Sequence, residues 1–312
     1  MHCWQHIQEL PDVSIPEGLC LQVLSVAARH GQPALATSVF GALSDLRVQY
    51  SSHHFLPLIE AYTRCGDFRQ AFIALSVMRE ASASPPQISH LNSLINAMAR
   101  SPQTLDRAYF TLQDIVRKEG KAIDIAAFNA LLSACLLHND ASRAISTYRD
   151  AASLNVVPNL ETYNILLSAA SQVGHRELAM YILSDLKKAR ITPNEETYAR
   201  VILTCLFQPE GSYDQAFMYL EEMKAAGWIP SSGIYASFVK KCVYHHDDRA
   251  VALLEEMKKM GYVTKRLETY VADAARLGIR SKLMDQKATL PETDVIEDQA
   301  VQRFLEWKGR RD

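Results

Sequence analysis

Apolar residues recur every three to four positions in short stretches of this chain, and glycine, proline or asparagine separates one stretch from the next. Residues 160–194 show the pattern clearly. The apolar positions are Tyr163, Leu166, Leu167 and Ala170 in the first stretch, and Leu178, Tyr181, Ile182, Leu183 and Leu186 in the second. A spacing near 3.6 predicts two amphipathic helices. Gly174 is expected to end the first helix, and Pro193 to stop the second before Asn194 caps the next one.

The same two-helix pattern repeats along most of the chain. Residues equivalent to Tyr163 recur at steps of 35 to 37, and a small residue of the second helix recurs at steps of 34 to 37. The first set is Phe55, Leu91, Phe128, Tyr163, Tyr198, Tyr235 and Tyr270. The second set is Ala36, Ala71, Ala108, Ala144, Ala179, Ala216 and Ala250. One hairpin cannot bury its own apolar face, so neighbouring hairpins must stack. The pattern predicts an all-α array of helix-turn-helix repeats of about 35 residues, without a sheet.

This repeat divides the chain into three parts. Residues 1–16 are expected to be an N-terminal lead-in, 17–266 seven repeats, and 267–312 a partial repeat followed by a C-terminal capping helix. The seven units are 17–51, 52–87, 88–124, 125–159, 160–194, 195–231 and 232–266. In the tail, Thr289 and Glu292 have the spacing of a capping box. We interpret the apolar residues that follow as a helix covering the end of the stack. A partner-binding helix is the alternative.

Composition and charge exclude several other classes of protein. Of the 312 residues, 48% are hydrophobic and 22% charged, and the formal net charge is -2. These values are typical of a packed domain, and the near-neutral charge gives no global attraction to nucleic acid or to an anionic membrane. No apolar stretch reaches the ~18 residues that span a bilayer. The first residues lack the features of a secretory signal or an Arg-rich presequence, so we expect either none or a chain that begins after it.

Cysteine and histidine spacing gives no sign of a metal site. The six cysteines form no C-x-x-C pair, and most lie within apolar runs, so we expect buried free thiols and, weakly, a reducing compartment. The His-His-Asp-Asp sequence at 245–248 fits no standard ligand spacing. It is interpreted as a solvated turn with an aspartate cap. No nucleophile and base are placed together by a recognisable motif, so we expect no catalysis, no metal and no cofactor.

Three motifs resemble the pentatricopeptide repeat family: "TYN" at 162–164, "SDLKKARITPN" at 184–194 and "EEMKAAGWIPS" at 221–231. The W-x-x-L-G-x-x-Y track of tetratricopeptide repeats is missing. The resemblance implies a right-handed α-solenoid that is not an enzyme. It also implies binding of single-stranded RNA in mitochondrial RNA metabolism or translation, with one base read per repeat.

By the same resemblance, two residues of each repeat would read a base: the one after the aromatic and the last of the unit. The candidate RNA-binding pairs are Asn92 with Asp124, Asn129 with Asn159, and Asn164 with Asn194. A side-chain amide can donate to or accept from a base edge. These pairs resemble pyrimidine-reading ones, with the first leaning to uracil. In the outer units the first position holds Leu21, Leu56, Ala199 and Ala236, which match no well-known pair.

Two features count against direct base reading and keep a second function open. RNA-binding members usually carry an aliphatic residue two positions before the aromatic, where this chain has Glu161 and Glu196. Arg29, Arg64 and Arg100 are placed to touch phosphates, but the later units lack a matching basic residue. The alternative is a protein-interaction scaffold or an organellar ribosome or assembly subunit, in which the asparagines only solvate the groove. Its candidate anchors are Trp228, Tyr244, Tyr262 and Trp307.

Overall fold

The computed structural model describes residues 4, 6, 15–46, 48–82, 85–207 and 213–277. Within these ranges the structure contains fifteen α-helices, one short 3₁₀ turn and no strand. The predicted all-α helical-repeat fold is therefore confirmed. The contacts divide the chain into two compact units, 1–158 and 159–312. The expected capping helix that would start near Thr289 lies outside the described residues, as does most of the lead-in.

The first unit is built from four helical hairpins. Its helices are α1 (Glu17–Arg29), α2 (Pro33–Asp45), α3 (Ser52–Cys65), α4 (Phe68–Ala81), α5 (Asn92–Met98), α6 (Pro102–Glu119), α7 (Ile125–Leu137) and α8 (Ala141–Arg149). The two helices of each hairpin pack together, and each first helix also packs on the first helix of the next hairpin. The core of the unit therefore runs from hairpin to hairpin, as stacking of incomplete apolar faces requires.

The second unit contains three hairpins and one further helix. Its helices are α9 (Leu160–Val173), α10 (Arg176–Lys188), α11 (Glu195–Leu206), α12 (Asp214–Ala225), α13 (Ser232–Tyr244), α14 (Arg249–Lys259) and α15 (Lys265–Leu277). Helix α15 packs on both α13 and α14. It begins at Lys265, two residues before the predicted start of the partial repeat at 267.

The two residue tracks that revealed the repeat lie in the core, except for Tyr270, which is partly exposed. The alanines Ala36, Ala71, Ala108, Ala144, Ala179 and Ala216 are completely buried. Phe128 and Tyr235 are also completely buried, and Tyr163 and Tyr198 nearly so. A small residue on the second helix lets the two helices approach closely, and the large residue on the first helix fills the space that remains between them.

The helices described here end and begin where the sequence predicts. Gly174 follows α9 with a φ of 68°, the left-handed conformation that glycine adopts most readily. The side chain of Asn194 accepts from the backbone nitrogen of Thr197 at 2.9 Å and so caps α11. Among the described residues, no helix combines the length and apolar character needed to cross a membrane.

Four of the cysteines are buried free thiols, as expected: Cys20, Cys135, Cys205 and Cys242. Cys65, at the end of α3, is exposed, which differs from the expectation. It occupies the solvent side of the last turn of α3, next to Gly66. Cys3 lies outside the described residues.

Candidate nucleic-acid interface

The structure brings Asn164 and Asn194 together within the second unit. Asn164 lies in the second turn of α9 and Asn194 caps α11, the first helix of the next hairpin. The Nδ2 of Asn164 donates to Oδ1 of Asn194 at 3.3 Å, and the Thr197 hydroxyl donates to Oδ1 of Asn164 at 2.7 Å. In this repeat, the residue after the aromatic and the last residue of the repeat are thus in direct contact.

Asn159 and Asn194, the last residues of their repeats, also cap helices. The Oδ1 of Asn159 accepts from the backbone nitrogen of Thr162 at 3.0 Å, and Asn194 makes the matching bond to Thr197. Each threonine hydroxyl in turn accepts from the backbone nitrogen of its asparagine, which completes a capping box. The cap uses the carbonyl oxygen of each asparagine side chain and makes no demand on its NH₂ group.

A carboxylate also contacts the Asn164 amide. Asn164 Nδ2 donates to Oε2 of Glu196 at 3.2 Å, and Arg200 Nη2 lies 2.6 Å from Oε1 of the same glutamate. Arg200 also donates to the hydroxyl of Ser168, one turn beyond Asn164 on α9. With these partners in place, Asn164 is only 5% exposed. The acidic residue two positions before Tyr198 therefore contacts the candidate reading group itself.

Asn92 and Asp124 are not brought into contact. Asn92 is exposed, starts α5 and donates through Nδ2 to the backbone oxygen of Ser89 at 3.1 Å. The Asp124 side chain is 1% exposed; it accepts from the backbone nitrogen of Ala126 at 2.7 Å and forms a bidentate ion pair with Arg79. The carboxylate of Asp124 is therefore already occupied by a helix cap and an arginine.

The position of Asn92 differs from that of the other two candidate asparagines for a local reason. Pro85 and Pro86 precede a 3₁₀ turn at Ile88–His90, and α5 starts only at Asn92. Asn164, in contrast, comes five residues after the cap of its helix, in the second turn. The sequence repeat aligns these asparagines, but the shortened α5 places Asn92 in the first turn.

Asn129 is completely buried in the second turn of α7, with an exposed fraction of 0%. It belongs to the first unit, and its proposed partner Asn159 begins the second unit. Because the Asn129 side chain has no exposed surface in this conformation, contact with a base requires that it becomes exposed.

The first three repeats carry an arginine at the same position near the end of their first helix. Arg29, Arg64 and Arg100 are exposed, and Arg64 pairs with Glu60 at 2.7 Å. The matching positions of later repeats hold Leu137, Gln172, Phe207 and Tyr244, all exposed. At this repeat position, basic side chains that could contact phosphates therefore occur only in the first three hairpins.

Sequence reasoning missed two parts of the Asn164 site, although both leave a signal. The threonine three residues after each capping asparagine occurs twice, at Thr162 and Thr197. Glu196 and Arg200 have the i, i+4 spacing of a helical ion pair. Neither signal shows that Glu196 reaches across to another hairpin, because that contact depends on how the two first helices pack.

The described residues contain no group of three or more His, Cys, Asp or Glu side chains placed to hold a metal ion. In the 245–248 turn, Asp247 instead accepts from the Tyr213 hydroxyl at 2.5 Å and from the Arg249 backbone nitrogen at 2.9 Å. Hydrogen bonds from Arg249 and Tyr213 outweigh the effect of burial and hold the pKa of Asp247 far below its usual value. This turn is a structural joint between hairpins.

Comparison with known families decides the identity of the repeat. A model described as pentatricopeptide repeat-containing protein matches residues 17–151, and a model described as pentatricopeptide repeat domain matches residues 146–208. Together these matches extend over more than half of the chain. The chain belongs to the pentatricopeptide repeat family.

Curated relatives of this pentatricopeptide repeat protein occur in Arabidopsis thaliana. One, named as mitochondrial, is 25% identical over 282 residues, covering 84% of this chain and 44% of the relative. Another, named as chloroplastic, is 21% identical over 216 residues, covering 69% of this chain and 32% of the relative. The chain thus spans less than half the length of these curated relatives.

A solved structure with the same fold is the pentatricopeptide repeat protein PPR10 of maize in complex with an 18-nt psaJ RNA element. The TM-score is 0.50 at 20% sequence identity, over 92% of this chain and 42% of PPR10. At this identity the likeness concerns the fold: both proteins are pentatricopeptide solenoids.

Proposed function

We propose that this pentatricopeptide repeat protein binds single-stranded RNA without catalysis and acts in RNA metabolism or translation in an organelle, specifically the mitochondrion. Family membership supports RNA as the ligand, and the PPR10 structure contains an RNA element. Curated relatives named as mitochondrial or chloroplastic support an organelle.

The observation that carries the proposal is the contact between Asn164 and Asn194. Two amides from successive repeats lie 3.3 Å apart, and each amide group has both a donor and an acceptor. A base edge also presents both donors and acceptors. One base held between such side chains per repeat is the recognition mode of this family.

In the full proposal, three bases are read in succession. The readers are Asn92, Asn129 and Asn164, with Asp124, Asn159 and Asn194. The middle repeats then favour pyrimidines. Because Asn129 is buried and Asp124 is held by Arg79, we expect Asn164 to contribute most to binding among the three asparagines.

A protein partner is the second candidate, and a specific observation favours it. In the second unit, Trp228, Ile229 and Val263 are exposed, and Val263 is 87% exposed. The Tyr262 hydroxyl donates to the Pro230 backbone oxygen at 3.0 Å, which places the two inter-hairpin turns side by side. Clustered exposed apolar side chains are typical of protein interfaces rather than of phosphate-binding surfaces.

Fluorescence anisotropy with labelled single-stranded RNA tests the proposal. We expect the triple variant Asn92→Ala, Asn129→Ala, Asn164→Ala to bind a pyrimidine-rich oligonucleotide roughly tenfold or more weakly than the wild type. Asn164→Ala alone should account for most of the loss.

The matched control is Asn96→Ala, which removes an exposed amide from α5 outside the proposed pairs. It should bind RNA like the wild type. Circular dichroism must show that the triple variant remains helical, since Asn129 is buried. Equal affinity of the folded triple variant and the wild type would refute base reading by these residues. If the surface formed by Trp228, Ile229 and Val263 selectively captures a protein and the chain does not bind RNA, the second candidate is favoured.

A further inference from the structure

We propose that Glu196 is a gate on the reading position of the second unit: it occupies the Asn164 amide when RNA is absent and must leave when a base binds. This inference rests on the proposed RNA-binding function and assigns a regulatory role at the same site to a residue outside the candidate pairs.

The geometry of the gate is specific. Glu196 Oε2 accepts from Asn164 Nδ2 at 3.2 Å, while Oε1 of the same carboxylate lies 2.6 Å from Arg200 Nη2. The Glu196 side chain is 53% exposed, whereas Asn164 below it is 5% exposed. The glutamate thus lies on the solvent side of a nearly buried amide and covers it.

The chemistry favours the closed arrangement in the absence of a ligand. A carboxylate is a stronger hydrogen-bond acceptor than the neutral carbonyl or ring nitrogen of a base. Arg200 holds the carboxylate in place through an i, i+4 ion pair on α11. A base therefore reaches Asn164 only after this contact breaks, which lowers the apparent affinity by the fraction of molecules that are open.

Opening the gate also changes the charge that RNA meets. With the Glu196 carboxylate turned away, the guanidinium of Arg200 loses its counter-ion and becomes available to a phosphate. One movement then exposes the amide that would read the base and a cation that would hold the backbone. A side chain that only repels RNA through its charge would lack this link to Asn164.

Glu195 provides a matched control for this link. Glu195 and Glu196 are both exposed acidic residues in the first turn of α11. A negative charge at either position interacts favourably with the helix dipole. In the described structure, no hydrogen bond joins Glu195 to Asn164. Removal of either glutamate therefore changes the net charge equally, but only removal of Glu196 uncovers the amide.

The experiment compares Glu196→Ala with Glu195→Ala by anisotropy on the same pyrimidine-rich oligonucleotide. We expect Glu196→Ala to tighten RNA binding roughly five- to tenfold, the loss of one competing charge-assisted hydrogen bond, and Glu195→Ala to change it less than about twofold. Similar tightening by both variants would overturn the gate in favour of general repulsion. Thermal melts followed by circular dichroism confirm that both variants fold.

A double-mutant cycle with Asn164→Ala completes the test. If Glu196 acts through Asn164, the tightening caused by Glu196→Ala is greatly reduced in the Asn164→Ala background, where only the release of Arg200 remains. An undiminished gain in that background would contradict the proposal. If Asn164→Ala weakens RNA binding but Glu196→Ala does not strengthen it, the gate is wrong while the proposed function stands. If neither the wild type nor Glu196→Ala binds RNA, both are refuted.

Discussion

The hydroxyl of Tyr235 donates to Oε1 of Glu256 across 2.7 Å, which links the first and second helices of one hairpin. Lys224, on the second helix of the preceding hairpin, lies 2.6 Å from the same oxygen. We refer to these three residues as the Tyr–Glu–Lys clasp. A single carboxylate in it connects three helices and two hairpins.

The same clasp occurs one hairpin earlier. The Tyr198 hydroxyl donates to Oε1 of Glu222 at 3.0 Å, and Lys187 forms an ion pair with that oxygen. Glu222 and Glu256 are both the second glutamate of an E-E-M-K motif. The structure thus gives this motif a physical role: it fixes each second helix to its own first helix and to the previous hairpin.

Removal of the clasp charge should destabilise the second unit. We expect Glu256→Gln to lower the free energy of unfolding by about 1 kcal/mol, because hydrogen bonds to a charged group become neutral ones. Urea denaturation followed by circular dichroism measures the loss. The neighbouring Glu255→Gln, an exposed position, should have little effect. An equal loss in both variants would show that the clasp contributes nothing of its own.

The clasp also predicts how stability depends on acid. Burial alone would raise the pKa of Glu256, but hydrogen bonds from Lys224 and Tyr235 outweigh it and lower that pKa below its usual value. A lowered pKa stabilises the fold above the unfolded pKa of about 4.3, and the contribution is lost as the pH falls through the folded pKa. The difference between wild type and Glu256→Gln should therefore shrink from pH 7 to pH 3. A constant difference would contradict this origin.

Two glycines of the first unit should respond to alanine in opposite directions. Gly66 ends α3 with a φ of 81°, and an added Cβ would lie 2.9 Å from Arg107 Nη2, which donates to the Gly66 backbone oxygen. Gly66→Ala should lower the free energy of unfolding by roughly 1 kcal/mol or more, because alanine is strained in this left-handed backbone conformation. Gly41, inside α2, has no atom within 4 Å of an added Cβ.

Gly41→Ala should therefore raise the free energy of unfolding by about 0.5–1 kcal/mol, because alanine has a higher helix propensity than glycine. Thermal midpoints of the two variants, recorded under identical conditions, check both expectations. A shift in the same direction for both would mean that backbone conformation does not govern these positions.

The Arg79–Asp124 pair should matter more than a surface pair of the same unit. Asp124 is almost fully buried and Arg79 is 39% exposed, so Arg79→Ala leaves a buried carboxylate without its partner. We expect a loss of about 2 kcal/mol in unfolding free energy. Lys118→Ala, which breaks an exposed pair with Asp114, should cost less than about 0.5 kcal/mol. Equal losses would contradict the assigned difference in burial.

Cysteine reactivity should separate Cys65 from the buried thiols. Burial raises the pKa of Cys135 to about 12 and that of Cys205 and Cys242 to about 11, so little reactive thiolate forms at neutral pH. Brief treatment with iodoacetamide at pH 8, with mass spectrometry of each site, should label Cys65 well before these three. The difference should vanish in denaturant. Early labelling of Cys135 in the native protein would contradict the packing of α7.

The fold follows from the sequence because its determinants are local and repeated. From the second hairpin to the seventh, a large apolar residue near the start of the first helix, aromatic in all but one case, is followed by a turn and by an alanine on the next helix, and the structure buries the large residue and the alanine together. Stacking needs no long-range information, since each hairpin packs on its neighbour.

The candidate site can be predicted from the sequence only in part. The contact between Asn164 and Asn194 agrees with the pairing of positions inferred from the repeat. The enclosure of Asn129, the bond from Asn164 to Glu196 and the capture of Asp124 by Arg79 depend on side-chain packing between hairpins, which a helical period does not specify. Asn92 departs from its repeat because the Pro85-Pro86 pair and the 3₁₀ turn delay the start of α5.

The Tyr–Glu–Lys clasp connects one hairpin to the next and to nothing further along the chain. When the hairpin 195–231, which carries both a glutamate and a lysine of the clasp, is duplicated or deleted in the gene, the hairpins that become adjacent still carry a matching lysine and glutamate and can form the same contact. The copy number of repeats, and with it the length of ligand the protein spans, can therefore change in evolution without any new interface chemistry.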